Sequence, residues 1–109
     1  MNKYSDKSDF EINKAVAECK YGIGCTGKTQ GGDVIVFTDS FTAVFDPCNN
    51  PADAFPLIID VKLSIHPDFY DNSESWIVRT VHIPTVKDKS LTRAICIAYL
   101  MMKDAENEK

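Results

Sequence analysis

The stretch GIGCTGKTQGGDVIVFT, residues 22–38, decides which of two fold classes the chain adopts. Its first eight residues fit the pattern of a phosphate-binding P-loop, which belongs to α/β proteins with a parallel sheet. A working P-loop follows a buried strand and opens a helix, whose amides hold the phosphates. Here a predicted helix precedes the motif, and Gly31 and Gly32 disfavour a helix after it. The stretch therefore predicts a flexible glycine-rich loop over residues 22–33 that leads into a strand.

A second segment also resembles part of a nucleotide-binding site. Leu57-Ile58-Ile59-Asp60 has the form of an apolar strand that ends in a magnesium-binding carboxylate. Only about 50 residues follow it, and a parallel sheet needs long crossover connections. We therefore expect no nucleotide hydrolysis. Contact between Lys28 of the glycine-rich loop and an anion is the functional alternative to a plain connector.

Two helices are indicated in the first part of the chain. A capping box, Ser8-Asp9-Phe10-Glu11, precedes apolar residues at helical spacing and predicts a helix from Asp9 to Lys20. Asn50 as the cap and Pro51 at the first helical position predict a second helix that ends near Ile59. Pro56 leaves open a turn followed by a short strand instead.

The last predicted helix runs from Leu91 to about Asp104, with Ser90 as its cap. Its residues 94–102 are apolar on nearly every face, which is typical of a fully buried helix. We expect it to be the central core helix, with a self-association surface, and hence a homodimer, as the alternative. Residues 1–7 and 104–109 are expected to fray.

Segments rich in β-branched and aromatic residues predict four strands. A turn at Asp39-Ser40 joins the first two into a hairpin whose alternate residues, Phe41, Ala43 and Phe45, face inward. The four segments are Val34–Thr38, Phe41–Phe45, Leu63–His66 and Ser75–Ile83. With the helices they give the order α-β-β-α-β-β-α, a single α+β domain over residues 1–109 with a mostly antiparallel sheet packed against helices.

Composition narrows the class of protein. The formal net charge is −4 and the apolar share is 44%, as in an ordinary globular protein. The lysines are scattered among carboxylates, which argues against binding to duplex DNA. The polar start and the lack of a long apolar run predict neither a signal peptide nor a membrane span. We expect a cytosolic protein with reduced thiols, in which Cys19 and Cys96 lie on apolar helical faces.

Motifs for catalysis and for metal binding are missing from the sequence. There is no Gly-x-Ser-x-Gly elbow, no CxxC pair, and no motif around either His66 or His82. Asp68 and Asp71 are more typical of a solvated loop than of an active site. We therefore expect a protein that is not an enzyme, with no catalytic residue, no metal and no cofactor.

Three segments carry a resemblance to a known family: residues 4–18, residues 45–59 with the motif Cys-Asn-Asn-Pro-Ala-Asp, and residues 90–102. They are similar, in that order, to the opening, the central motif and the C-terminal helix of the NinX-like family of lambdoid phage and prophage proteins. The resemblance implies a small accessory protein of the bacterial host cytoplasm, from a phage region near replication and recombination functions. It implies no catalytic residue.

We therefore hypothesise that the chain binds a host or phage protein and inhibits a host nucleic-acid-processing or defence system. The candidate binding residues are aromatic residues, which anchor interfaces, and the polar turn before the second helix: Phe69, Tyr70, Trp76, Asn49, Asn50 and Asp53. Trp76 could equally be a core residue, and the turn is also explained by helix capping. The alternative function is a nucleic-acid-binding factor of phage recombination or replication, for which residues 87–89, Arg93, Lys28 and Lys103 would have to form one basic patch. Lys28 and Arg93 are the candidate anion contacts.

Overall fold

The computed structural model describes residues 3–69 and 74–107, which form three helices and two three-stranded antiparallel sheets. The predicted α+β class and antiparallel pairing are confirmed. The order is α-β-β-β-α-β-β-β-α, with one more strand in each half than predicted. The elements are α1 (Asp9–Tyr21), β1 (Thr26–Lys28), β2 (Val34–Phe37), β3 (Thr42–Val44), α2 (Pro51–Val61), β4 (Ser64–Pro67), β5 (Trp76–Arg79), β6 (Val86–Asp88) and α3 (Leu91–Asn107).

The predicted caps of the first two helices are present. The Glu11 amide donates to the Ser8 side chain, and the Ser8 amide donates to the Glu11 carboxylate, so the capping box is complete. Asn50 accepts a hydrogen bond from the Ala52 amide and Pro51 opens α2. Pro56 lies inside α2, which continues to Val61. The alternative of a turn followed by a strand is therefore wrong.

The first sheet has the order β1-β2-β3, and β1 lies within the predicted glycine-rich loop. Gly27 pairs with Ile35 in the ladder, so residues 26–28 are strand rather than loop. The expectation of a loop over residues 22–33 missed this strand because only Thr26 of its three residues favours a strand, whereas Gly27 and Lys28 disfavour one. Gly22 ends α1 with a φ of 106°, a conformation that glycine adopts at little cost.

In β3 the predicted inward face is only partly covered. Phe45 is 5% exposed, but Phe41 is 46% exposed and Ala43 is also exposed. The ring of Tyr21, at the end of α1, contacts Phe41 and Phe45 edge to face. Beyond these rings α1 does not reach the edge strand, and β3 itself remains exposed along its length.

The second sheet has the order β4-β5-β6. The predicted strand Ser75–Ile83 is shorter than expected: it ends at Arg79, and a separate strand, β6, pairs with it. β6 consists of Val86, Lys87 and Asp88, of which only Val86 favours a strand. Its formation depends on the pairing with β5.

α3 is the centre of the molecule and packs against α1, α2, β5 and β6. Residues 94–100 are all buried, so the prediction of a core helix is confirmed. The Arg93 amide donates to the Ser90 hydroxyl, as expected of a cap. The helix extends to Asn107, and the buried Tyr4 donates to Asp104, so residues 3–7 and 104–107 differ from the expected frayed ends.

Candidate protein-interaction surface

The polar turn before α2 uses its side chains to hold the fold together. Asp53 accepts a hydrogen bond from the Asp46 amide at 3.0 Å, and Asn13 donates to the Asp46 carboxylate at 2.7 Å. Asn49 donates to both Asp9 and Asp46. With Asn50 capping α2, all three predicted binding residues of this turn have structural partners.

Arg93, a predicted anion contact, is already surrounded by acceptors. Its guanidinium lies 2.6 Å from Asp9 and 3.4 Å from Asp88, and it donates to the carbonyls of Ser5 and Lys7. The side chain is 17% exposed. Arg93 therefore joins the start of the chain, α1 and the end of β6 to α3, and it has little capacity left for an anion.

Lys28, the other predicted anion contact, lies on the edge strand β1. Its ammonium group is 5.1 Å from the centre of the Phe10 ring, a cation–π arrangement. The hairpin β1–β2 places the Gly22–Thr29 motif between a helix and a strand, and no helix begins after it. The backbone that a P-loop uses to hold phosphate is therefore not formed by this segment.

The predicted aromatic anchors lie on the second sheet and the loop that follows β4. Phe69 is 79% exposed, Trp76 at the start of β5 is half-buried, and Tyr70 lies outside the described residues. Trp76 pairs with Pro67 and Asp88 across the sheet. The Asn49–Asp53 turn lies between β3 and α2, so the predicted binding residues come from separate elements of the fold.

Three grooves of the molecule are lined in part by Tyr4. A groove of about 350 Å³ is lined by Tyr4, Lys3, His82, Met101 and Asp104 together with three further residues. Burial and the hydrogen bond to Asp104 raise the pKa of the Tyr4 phenol well above its usual value, so it stays protonated. Lys3 also pairs with Asp104 at 3.3 Å. The Tyr4 hydroxyl and the Lys3 ammonium group thus both bind the Asp104 carboxylate.

The buried thiols offer no reactive centre. Cys48 and Cys96 lie in the core, and the hydrogen bond to Cys48, together with burial, raises the pKa of Cys96. Cys19 is exposed, so its predicted place on an apolar helical face is wrong. Within residues 3–69 and 74–107, no three His, Cys, Asp or Glu residues are grouped as a metal site would require.

α2 presents an apolar face to solvent. Its residues Ala54, Leu57 and Val61 are buried, and α2 packs against α3. On the opposite side Phe55 is 50% exposed and Ile59 is 79% exposed. A helix that is apolar on every side is normally buried. We call the exposed residues Ala52, Phe55, Pro56 and Ile59 the α2 face.

The α2 face lies in an acidic part of the chain. Between Lys28 and Lys62 there is no Lys, Arg or His, but there are five aspartates: Asp33, Asp39, Asp46, Asp53 and Asp60. The formal net charge of the whole chain is −4, so the rest of the chain carries +1. This segment comprises β2, β3 and α2. Phe55 and Ile59 are not among the binding residues predicted from the sequence, although the absence of basic residues between Lys28 and Lys62 is visible in the sequence itself.

The described helices show no membrane-spanning candidate, since none over residues 3–69 and 74–107 combines sufficient length with sufficient apolarity. No match was found among curated proteins or among solved structures. A family model described as NinX of bacteriophage P22 matches residues 3–103, nearly the whole chain. The chain belongs to this phage NinX family.

Proposed function

We propose that this phage accessory protein is not an enzyme and acts by binding a host or phage protein through the α2 face and its acidic surroundings. The observation that carries the proposal is the exposure of Phe55 and Ile59, one helical turn apart, in a segment without a basic residue. Apolar surface of this kind, rimmed by polar groups, is typical of protein-interaction sites.

The energetics favour a partner for this helix. Complete burial of a Phe or Ile side chain contributes roughly 1.5–3 kcal/mol relative to full exposure. Phe55 and Ile59 realise only part of that contribution, and the exposed residues between them on this face, including Pro56, are also apolar. A partner with an apolar groove would bury the α2 face in the way that grooves receive amphipathic helices.

The charge distribution supports a basic protein partner rather than nucleic acid. Asp53 and Asp60 lie on α2 itself, and their segment has five aspartates and no basic residue, a charge that repels phosphate and attracts Lys and Arg, even though Lys20 of α1 pairs with Asp60 at 3.5 Å. The basic residues elsewhere are largely engaged: Lys87 pairs with Asp68 at 2.6 Å, and Lys103 with Glu106 at 3.5 Å. Proteins that process nucleic acid have basic surfaces, so an acidic ligand competing with phosphate there would inhibit them.

Site-specific photo-crosslinking tests this function. A benzophenone amino acid replaces Ile59, and the matched control replaces Val81, which is 85% exposed and lies outside the acidic segment. Each protein is irradiated in an extract of bacteria that carry the phage. We expect one polypeptide with a basic surface to crosslink from position 59 and not from position 81.

Two outcomes would contradict the proposal. The first is the same set of crosslinks from both positions, which would mean that the α2 face has no special affinity. The second is tight, salt-sensitive retardation of single-stranded or duplex DNA by the unmodified protein, which would support the nucleic-acid alternative.

A further inference from the structure

We infer that the free edge of β3 binds an extended, basic segment of the protein partner, which adds a fourth strand to the first sheet. This inference rests on the proposed function and specifies a second contact with that partner. β3 comprises Thr42, Ala43 and Val44, and all three are exposed. Strand addition supplies main-chain hydrogen bonds at an exposed sheet edge.

The hydrogen-bond register shows which backbone groups the edge offers. The Phe45 amide donates to the Val34 carbonyl, and the Thr38 amide donates to the Phe41 carbonyl. Hydrogen-bonded and non-hydrogen-bonded pairs alternate in an antiparallel ladder. Thr42 and Val44 therefore belong to non-hydrogen-bonded pairs with β2, and their amides and carbonyls point away from the sheet.

The other edge strands of the described sheets carry residues that oppose strand addition. β1 has Lys28, β4 has Pro67 and β6 has Lys87. Lysine and proline are the residues with which proteins commonly protect exposed edges. The edge of β3 has neither, and no charged residue lies within it. Among the four edges it is the one suited to an added strand.

The charges at both ends of β3 specify the chemistry of the added segment. Asp39 lies before the strand and Asp46 after it. The Asp46 carboxylate accepts from the neutral amides of Asn13 and Asn49, so these hydrogen bonds leave its negative charge in place. Lysine or arginine residues of an added strand would meet these carboxylates at either end.

The same charges disfavour a second copy of this chain as the occupant. An antiparallel pairing of two β3 strands, centred on Ala43, would satisfy the outward groups of Thr42 and Val44. In that register Asp39 of each copy would lie opposite Pro47 of the other copy, one residue from its Asp46. Like charges this close repel each other and disfavour such a pairing.

The more exposed face of the first sheet determines which side chains suit alternate positions of the added segment. Ile35, Phe37 and Val44 lie on this side, and the Phe37 ring covers Gly27, where an added Cβ would be 3.3 Å from it. Phe37 is 42% exposed and Val44 is 53% exposed. Apolar side chains of an added strand would extend this surface, so the segment alternates apolar and basic residues.

Peptide binding to the full-length protein tests the inference. The probe is a fluorescent ten-residue peptide that alternates valine and lysine, and binding is followed by fluorescence anisotropy. One control peptide has glutamate in place of lysine, and another has N-methyl groups on alternate amides. We expect each control peptide to bind at least tenfold more weakly than the probe.

Two proline variants locate the site. Val44→Pro removes an outward amide of β3 and leaves the ladder with β2 intact, since that amide has no part in it. Thr26→Pro is the matched control on the β1 edge. The Phe37 amide donates to the Cys25 carbonyl, so the amide of the next residue, Thr26, points away from β2. Circular dichroism verifies the folding of both. We expect Val44→Pro to weaken probe binding at least tenfold and Thr26→Pro to change it less than twofold.

The inference is overturned if the probe does not bind, if Val44→Pro binds it as the unmodified protein does, or if N-methylation has no effect. Sedimentation that shows a dimer abolished by Val44→Pro would also overturn it, in favour of a second copy. The photo-crosslink from position 59 does not involve β3. If this crosslink persists and Val44→Pro still binds the probe as the unmodified protein does, the β3 edge is rejected as the binding site and the proposed function is retained.

Discussion

Replacing Arg93 by alanine should weaken the fold substantially. The guanidinium contacts the carboxylates of Asp9 and Asp88 and the carbonyls of Ser5 and Lys7. Alanine removes all of these contacts together and leaves both carboxylates without their cation. Because Arg93 is a residue of α3 that reaches the start of the chain, its loss detaches that segment from the core helix.

The magnitude follows from the geometry. Asp9 is 45% exposed, so solvent screens its pair with Arg93, and we assign it about 1 kcal/mol in spite of the 2.6 Å distance. The longer pair with Asp88 and the two carbonyl bonds contribute about 0.5–1 kcal/mol each. Arg93→Ala should therefore lower the free energy of unfolding by about 3 kcal/mol. Arg93→Lys keeps the charge but loses the planar fork, and should give an intermediate loss.

Urea denaturation followed by circular dichroism measures this loss. The matched control is Arg79→Ala, because Arg79 is exposed on β5 and should change the free energy by less than about 0.5 kcal/mol. If Arg93→Ala lowers the free energy of unfolding by less than about 1 kcal/mol, or if the two alanine variants lose equal stability, then the Arg93 contacts do not stabilise the fold as proposed.

Three further predictions concern other parts of the fold. Pro56→Ala should raise the free energy of unfolding by about 2 kcal/mol in urea, because the ring removes an amide donor within α2; no gain would contradict this. Burial, followed by the charges of neighbouring groups, raises the pKa of Tyr99 to about 12. Between about pH 10 and pH 12 the unfolded chain loses this proton while the folded chain keeps it. The free energy of unfolding should therefore be unaffected below pH 10 and fall by up to about 1.4 kcal/mol per pH unit towards pH 12. Tyr99→Phe should make that decline shallower in denaturation series, and an unchanged slope would contradict the assignment. A thiol reagent should modify Cys19 in the folded protein, whereas the buried Cys48 and Cys96 should react only after urea is added; their immediate reaction would contradict the burial.

The local parts of the fold were predictable from sequence. The cap of α1 depends on Ser8 and Glu11, and the start of α2 on Asn50 and Pro51, residues close enough in the chain to bond each other's backbone. The burial of residues 94–100 followed from an apolar run longer than one face of a helix. These signals need no knowledge of the tertiary structure.

The remaining parts depend on long-range packing. β1 and β6 each have one strand-favouring residue, Thr26 and Val86, and form because β2 and β5 pair with them. Apart from Asp53 and Asp60, α2 is apolar around its circumference, so the sequence could not say that Leu57 packs inward while Ile59 stays exposed. The choice is made by the position of α3.

The central claim is that the α2 face binds a partner protein, and a paired capture experiment tests it most directly. Immobilised unmodified protein, the double variant Phe55→Asp/Ile59→Asp, and Val81→Asp are exposed to the same extract of phage-carrying bacteria. All three residues replaced are at least half exposed, so the variants should remain folded. We expect the unmodified protein and Val81→Asp to capture one polypeptide in equal amounts, and the double variant to capture at least tenfold less of it. Equal capture by all three proteins would contradict it.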